Sequence, residues 1–158
     1  TIVYPIPLTK RLFWIDEESG EISGGRKSPV RGNPYMAFPE LYKIKSYLRD
    51  PNLCIRLVFL NMEEYKLLNG WSRDKKRGSS RFDRIPVSLE MEMEFDCPQD
   101  YLQLLPYELA EPFTVMDFGR QVHIGKQLAG IVLHILHYVG VVERDGKRGN
   151  AYLYRVRE

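Results

Sequence analysis

Cysteine and long apolar runs are scarce in this sequence of 158 residues. Its two cysteines, Cys54 and Cys97, lie 43 positions apart, and neither has a second cysteine or a histidine at the spacing of zinc ligands. The longest apolar stretch, residues 131–142, is interrupted by two histidines and a glycine, and it is shorter than the roughly 20 residues that cross a bilayer. We therefore expect no metal ion, no membrane partner and a reducing, cytoplasmic location.

The N-terminus has neither an initiator Met nor the features of a signal peptide. It lacks a basic segment, a long apolar core and a cleavage site of small residues. The chain opens instead on strand-forming residues, Ile-Val-Tyr-Pro-Ile at positions 2–6. We expect this sequence to be a processed or truncated piece of a longer protein.

Sequence motifs of the common enzyme classes are missing. No glycine-rich phosphate loop follows a strand pattern, no nucleophile elbow is present, and no histidine stands in a motif beside a serine or cysteine. The pattern most similar to a catalytic motif is Asp50 followed by Glu64 and Lys66, which resembles the two acids and the lysine of Mg²⁺-dependent nucleases. Asp50 lies beside Pro51 in a turn that ends a helix, which favours a solvated charge cluster. We predict no catalytic residue and no cofactor, with a nuclease centred on Glu64 as an alternative.

The net charge of +2 conceals a strong segregation of charge along the chain. Six basic residues face one acid in residues 24–49, and six face two acids in residues 70–84. Residues 86–111 hold seven acids and no lysine or arginine, and residues 112–158 are basic again, with seven against four. Basic surface of this kind suits a polyanionic ligand such as a nucleic acid. Solubility and mutual pairing of the charges are the alternative interpretation.

The first 97 residues mix strand and helix patterns around two basic loops. The loops are predicted at residues 24–34 and 70–84, where glycine, proline and charge interrupt the apolar pattern. A period-two alternation over residues 85–95 predicts a strand with an acidic face, although its Leu, Glu and Met residues also permit a helix. The other predictions are strands at residues 1–7, 10–16, 21–23 and 53–62 and a helix at 35–48.

The C-terminal 61 residues show a different order of elements. Thr114 and Asp117 predict the capped start of a short helix, and a tight turn at residues 123–125 leads into a longer helix at 126–139. Gly140 ends that helix, and two strands around a basic turn follow. This order is typical of a winged helix-turn-helix. The predicted fold class is therefore α+β, with a small mixed α/β N-terminal region (1–97) followed by a winged helix-turn-helix domain (98–158).

A winged helix docks on DNA through the N-terminal end of its second helix, which enters the major groove. Basic residues at the hairpin tip and in the two N-terminal loops add contacts to phosphates. The residues predicted to bind DNA are His123, Lys126, Gln127, Lys147, Arg148, Arg26, Lys27, Arg73, Lys75, Lys76 and Arg77.

Several short motifs resemble an uncharacterised bacterial family over nearly the entire chain. They are Val-Tyr-Pro-Ile-Pro at 3–7, Arg-Lys-Ser-Pro at 26–29, Phe-Pro-Glu-Leu-Tyr at 38–42, Pro-Asn-Leu at 51–53, Glu-Glu-Tyr at 63–65, Phe-Thr at 113–114 and Gly-Lys-Arg-Gly-Asn-Ala-Tyr-Leu-Tyr at 146–154. Longer members of that family carry an N-terminal segment that resembles a restriction endonuclease, and they end in a winged helix. The resemblance implies a nucleic-acid-directed protein whose metal-binding half is missing here, so it transfers no catalytic residue.

The sequence thus predicts a non-catalytic DNA-binding protein that uses a C-terminal winged helix. Its expected partner is nucleic acid, in the form of duplex DNA. The alternative is a protein-interaction or dimerisation module of a nuclease-like assembly, with a protein partner or a second copy of the chain.

Overall fold

A computed structural model describes residues 1–70 and 78–157 of the chain. The strands are β1 (Ile2–Asp16), β2 (Ile22–Lys27), β3 (Ile55–Leu68), β4 (Ser80–Phe95), β5 (Val142–Arg148) and β6 (Ala151–Val156). The α-helices are α1 (Phe38–Lys43), α2 (Val115–Gln121) and α3 (Lys126–Val139), and 3-10 turns span Pro34–Ala37, Lys45–Tyr47 and Pro98–Leu104. No helix within the described ranges has both the length and the apolar character needed to cross a membrane.

The predicted fold class, an α+β chain ending in a winged helix-turn-helix domain, is wrong. The fold is mostly β: of the described residues, 43% lie in strands and 27% in α-helices or 3-10 turns. It is built on a four-stranded mixed sheet and a two-stranded sheet rather than a helix-rich winged helix. One physical reason is that β3 and β4 continue beyond the apolar patterns that predict them, into residues 63–68 and 80–84, where charged side chains interrupt those patterns. A second reason is that the helix predicted at 35–48 forms only one short α-helix between two 3-10 turns.

The larger sheet has the strand order β2-β1-β3-β4. β1 and β2 form the predicted hairpin, with antiparallel pairs from Arg11 and Lys27 to Ile15 and Ile22. Side-chain contacts from β1 to β3 advance in the same direction along both strands, which makes these strands parallel. Contacts from β3 to β4 run in opposite directions, which makes that pair antiparallel. The prediction that residues 85–95 form a strand rather than a helix is confirmed.

The described chain forms two compact units, each built from separate stretches of sequence. The first unit contains residues 1–4, 34–57 and 93–158, and the second contains residues 5–33 and 58–92. Compactness does not show which part of a chain folds by itself. The division into domains at residues 97 and 98 therefore stays a prediction.

In the first unit, the core forms around one face of α3. Its buried side chains are Ala129, Val132, Leu133, Ile135, Leu136 and Val139. They recur at helical spacing, and α1, α2 and β5 pack against the helix. The predicted helix at 126–139 is confirmed, as is its end at Gly140, which takes the left-handed conformation at φ 90°.

Two polar contacts fix the elements that surround α3. Thr114 accepts a hydrogen bond from the Asp117 backbone N–H, and Asp117 accepts one from the Thr114 backbone N–H, so the predicted cap of α2 is a complete capping box. The buried Tyr35 hydroxyl donates to the Leu104 carbonyl at 2.7 Å. Burial raises the pKa of Tyr35 to about 12, so this hydroxyl keeps its proton.

In the second unit, Trp14 is the main buried aromatic of the β1–β2 hairpin. The pairing of β1 with β2 shifts between Leu12 and Phe13, and Gly24 lies against Trp14 at this irregularity. A Cβ atom on Gly24 would lie 2.7 Å from a Trp14 ring carbon and 2.8 Å from the Leu12 carbonyl oxygen. The backbone there has φ +113°, which favours glycine.

We predict that Gly24→Ala lowers the free energy of unfolding by about 2–4 kcal/mol, because it adds backbone strain to a steric overlap with Trp14. Gly20→Ala is the control, since Gly20 also has a positive φ but open space around its Cβ position. That variant should lose about 1 kcal/mol. Urea unfolding of both variants measures the difference, and equal losses would contradict the packing argument.

Candidate nucleic-acid interface

The first turn of α3 exposes two of the predicted DNA-binding residues. The helix begins after Gly125, which gives it no side-chain cap. Lys126 and Gln127 are exposed at this end, where backbone N–H groups point out of the helix and favour negative charge. His123 is exposed in the preceding turn, with φ 57°, a conformation that few residues other than glycine adopt.

The β5–β6 hairpin carries the next two predicted residues, Lys147 and Arg148. Both are exposed, and both lie in β5 rather than in the predicted turn. The pairing shifts between Arg144 and Lys147, and the positive φ angles of Gly146 and Gly149 permit the tight backbone on either side. The Arg144 guanidinium and the Lys147 ammonium lie 4.0 and 4.7 Å from the centre of the Tyr152 ring.

A groove of about 750 Å³ lies between these two surfaces, and we call it the hairpin groove. Its lining residues are Thr114, Val115, Met116, Lys126, Gln127, Gly130, Asn150, Ala151, Tyr152 and Tyr154. Backbone hydrogen bonds in both directions between Phe113 and Tyr154 join the start of α2 to β6, which fixes one wall. The lining is mainly apolar, and its polar groups are two amides, one ammonium and the hydroxyls of a threonine and two tyrosines.

The acids near the hairpin groove already have partners. Asp117 accepts hydrogen bonds from the Thr114 backbone and hydroxyl, and these bonds, with smaller effects from Arg148 and Arg120, hold its pKa below the ordinary value. Arg148 lies 3.9 Å from the Asp117 carboxylate, but the Arg148 side chain is 65% exposed and that of Asp117 is 38% exposed. Such a pair contributes little to stability, so the Arg148 guanidinium can turn to a phosphate at small cost.

The other predicted contacts are not part of this groove. Arg26 and Lys27 lie on β2, where they pair with Leu12 and Arg11 of β1 in the second unit. Lys27 and Arg11 line a separate cavity of about 320 Å³ there. Arg73, Lys75, Lys76 and Arg77 lie outside the described residues.

Glu64, the acid of the alternative nuclease site, forms an internal ion cluster. Its side chain is 6% exposed, and one carboxylate oxygen lies 3.1 Å from Lys10 Nζ and 3.0 Å from Arg84 Nε. Burial raises the pKa of Glu64, but the hydrogen bonds and charges of Lys10 and Arg84 outweigh burial and hold the pKa below 4.5. Two cations thus already neutralise this carboxylate, which favours a structural role.

Cys54, Glu94 and Asp96 bring their ligand atoms within 4.8 Å of one another in the first unit. The sequence gives little sign of this group, because antiparallel pairing joins residues 40 positions apart. Arg56 already binds the Glu94 carboxylate, which lowers the pKa of Glu94 and neutralises the charge that a cation would require. A hydrogen bond to Asp96 raises the pKa of the Cys54 thiol, so the thiol stays protonated. These contacts do not favour a metal site.

Glu64→Gln should lower the free energy of unfolding by about 1–3 kcal/mol at pH 7, because Lys10 and Arg84 lose their anionic partner. The pKa of Glu64 is depressed, so its contribution is present above pH 4.5 and is lost as the pH falls through the folded-state value. The gap between wild type and variant should therefore shrink below pH 4.5. Glu40→Gln, which removes an exposed pair with Lys43, is the control and should change stability by less than about 0.5 kcal/mol. A gap that stays constant down to pH 2 would contradict the ion cluster.

Comparison with known proteins relates this chain to one bacterial protein and to one domain family. An uncharacterized protein of Treponema pallidum (strain Nichols) is 26% identical over 163 residues, which cover 98% of this chain and 60% of that protein. The chain thus spans about 60% of the length of this relative. No solved structure matches the chain. Neither this relative nor the family that residues 1–96 match has a description that mentions a restriction endonuclease, so the expected resemblance to endonucleases is not shown. Residues 1–96 match the family described as "Domain of unknown function (DUF8091)", and because they make up more than half of the chain, the protein belongs to that family.

Proposed function

We propose that this protein binds nucleic acid at the hairpin groove without catalysing a reaction on it. One observation carries the proposal. Lys126 at the start of α3 lines the groove, and the Lys147 ammonium on β5 lies 4.7 Å from the ring centre of Tyr152, which lines the groove from β6. Arg148 pairs with Ala151, another lining residue, so cations more than twenty residues apart in the chain lie at or beside one groove. Cations that converge on one surface from two elements suit a ligand with repeated phosphates.

The lining of the groove supports contacts beyond charge. Gln127 and Asn150 offer amide groups, which donate and accept hydrogen bonds at base edges. Met116 and Tyr152 are 41% and 40% exposed, and their apolar surfaces suit contact with a base or a sugar. The ammonium of Lys126 and the basic residues of β5 would then hold the adjoining phosphates.

The pairing of charges on β5 and β6 also favours a polyanion. Asp145 and Glu143 lie 2.8 and 3.7 Å from the Arg155 guanidinium, so both acids are held by one cation. Lys147 has no carboxylate partner among the described residues. A cytoplasmic location, where nucleic acid is accessible and both cysteines would stay free, is part of this proposal.

Affinity for a labelled DNA duplex, measured by fluorescence anisotropy across a salt series, tests the proposal. Binding should weaken steeply with salt, because bound cations release counterions from the DNA. Lys126→Ala and Lys147→Ala should each lower affinity for all sequences alike and reduce the salt slope by about one per lost phosphate contact. No cleavage is expected when Mg²⁺ is added.

Lys43→Ala is the matched control, since Lys43 is an exposed lysine of the same unit that pairs with Glu40. It should bind the duplex as wild type does. The proposal is wrong if the wild-type chain does not bind at low salt, or if Lys126→Ala and Lys147→Ala leave affinity unchanged.

A second candidate function is self-association through β4. This strand lies at one end of the sheet order, and Ile85, Val87, Leu89 and Met91 alternate along one of its faces with exposures of 44%, 61%, 56% and 48%. An exposed apolar row on an edge strand is unusual for a monomer. Antiparallel contact between two copies centred on Val87 would place Ile85 opposite Leu89, so the apolar positions of the two strands would match.

Leu89→Lys should shift the oligomeric state toward monomer, because it places two like charges in the apolar row of the proposed dimer. Light scattering coupled to size-exclusion chromatography measures the change. Val30→Lys is the control, since Val30 is similarly exposed at 58% but lies outside β4. A wild-type chain that is monomeric at high concentration would exclude this candidate.

A further inference from the structure

We infer that a cluster of cations and aromatic rings around His134 is a binding site for a phosphate group. The His134 cluster consists of Tyr42, Lys45, Arg49, His134 and Tyr138, all in the first unit. It lies outside the hairpin groove and includes none of the residues that the sequence predicts to bind DNA. It does not depend on the proposed function.

The geometry of the cluster is set by contacts to α3. Lys45 Nζ lies 2.9 Å from His134 Nε2, and the Tyr42 ring centre lies 5.2 Å from that of His134. The Lys45 ammonium is also 5.1 Å from the centre of the Tyr42 ring and 5.7 Å from that of Tyr138. Attraction between a cation and the face of an aromatic ring therefore holds Lys45 from two sides.

A second cation adjoins the same rings. The guanidinium carbon of Arg49 lies 6.0 Å from the centre of the Tyr138 ring. Arg49 and Tyr42 are exposed, and Lys45, His134 and Tyr138 are half-buried, so an ion in water can reach the cluster. The tyrosine rings already hold the cations in place. An anion that binds there therefore orders few further side chains, which lowers the entropic cost of binding.

The positive charges of this cluster are not compensated. Across residues 1–70 and 78–157, no carboxylate forms an ion pair with Lys45, Arg49 or Arg144, whereas the nearby Lys43 lies 2.9 Å from Glu40. The charged groups that act on His134 are Lys45 from the 3-10 turn, Arg144 from β5 and His137 from α3, and each is basic. Their mutual repulsion is relieved by an anion, and a phosphate matches both their charge and their donors.

The Lys45–His134 hydrogen bond determines how the site responds to pH. The Lys45 ammonium donates, so His134 Nε2 is the acceptor and the imidazole is neutral. Burial and the charges of Lys45 and Arg144 lower the pKa of His134 below 6.5. A bound phosphate reverses this effect, because it favours imidazolium and accepts hydrogen bonds from both Lys45 and His134. Phosphate binding therefore takes up a proton and tightens as the pH falls between the bound-state and free-state pKa values.

The cluster also extends the surface that a longer ligand can occupy. Gln127 of the hairpin groove and His134 lie seven residues apart on α3, which is about 10 Å along the helix. One nucleic-acid strand can therefore reach both places, and a free phosphate ion fills the cluster alone. The nucleic-acid strand and the free ion both present a phosphate group to the cluster.

NMR titration of the His134 ring with inorganic phosphate tests the inference. Phosphate should raise the pKa of His134. Sulfate should shift the His134 resonances in the same direction. Because sulfate remains a dianion at every pH of the titration, its effect does not include titration of the ligand. Lys45→Ala should weaken phosphate binding about tenfold, the effect of one lost charge-assisted hydrogen bond. Lys43→Ala is the matched control and should bind phosphate as wild type does.

Lys45→Arg guards against a folding artefact, since it keeps the charge and should retain the response of His134 to phosphate. The inference fails if phosphate leaves the His134 pKa unchanged, or if Lys43→Ala and Lys45→Ala have equal effects on phosphate binding.

A short oligonucleotide in place of phosphate tells a nucleic-acid backbone from a free phosphate ion as the natural ligand. A response to both ligands supports a nucleic-acid backbone at the cluster, and a response to phosphate alone supports a free ion. Loss of DNA binding in Lys126→Ala with an intact His134 response, or the reverse, distinguishes this site from the hairpin groove.

Discussion

Burial of one face of α3 is the constraint on which the first unit depends. Six of its fourteen residues are buried, and α1, α2 and β5 all pack against this helix. The buried face fixes the rotation of α3 about its axis, because turning it would expose apolar surface. The remaining stripe of Gln127, Gly130, His134 and Tyr138 must then lie outside the core. The hairpin groove and the His134 cluster both follow from this one orientation.

Cations that pair with carboxylates belong to the structural parts of this protein, and cations that lie over aromatic rings belong to the proposed binding surfaces. In the second unit, Glu64 is buried between Lys10 and Arg84, so those cations neutralise an internal acid. In the first unit, the acids near the groove are held by a cap or by Arg155, and Lys45 and Lys147 face aromatic rings instead of carboxylates. A cation that rests on a ring keeps its charge available to an outside anion. The proposed binding surfaces are where such cations gather.

The sequence predicts local elements well where one strong pattern determines them. The capping box at Thr114, the helix of α3 and the β1–β2 hairpin are all confirmed, because each depends on neighbouring residues. The extent of β3 and β4 was not predictable in this way, since backbone pairing continues after the apolar alternation fades. Contacts such as Lys45 with His134, 89 positions apart, have no local pattern at all. The winged-helix prediction failed because it extended a local order of elements to a whole domain.

Backbone amide shifts, mapped by NMR on addition of a DNA duplex, would locate nucleic-acid binding on this chain residue by residue. The largest shift changes should fall at Lys126, Gln127, Lys147 and Tyr152, with smaller changes at His134, and all of them should fade as salt is added. Changes confined to β4, or no changes at low salt, would contradict nucleic-acid binding at the hairpin groove.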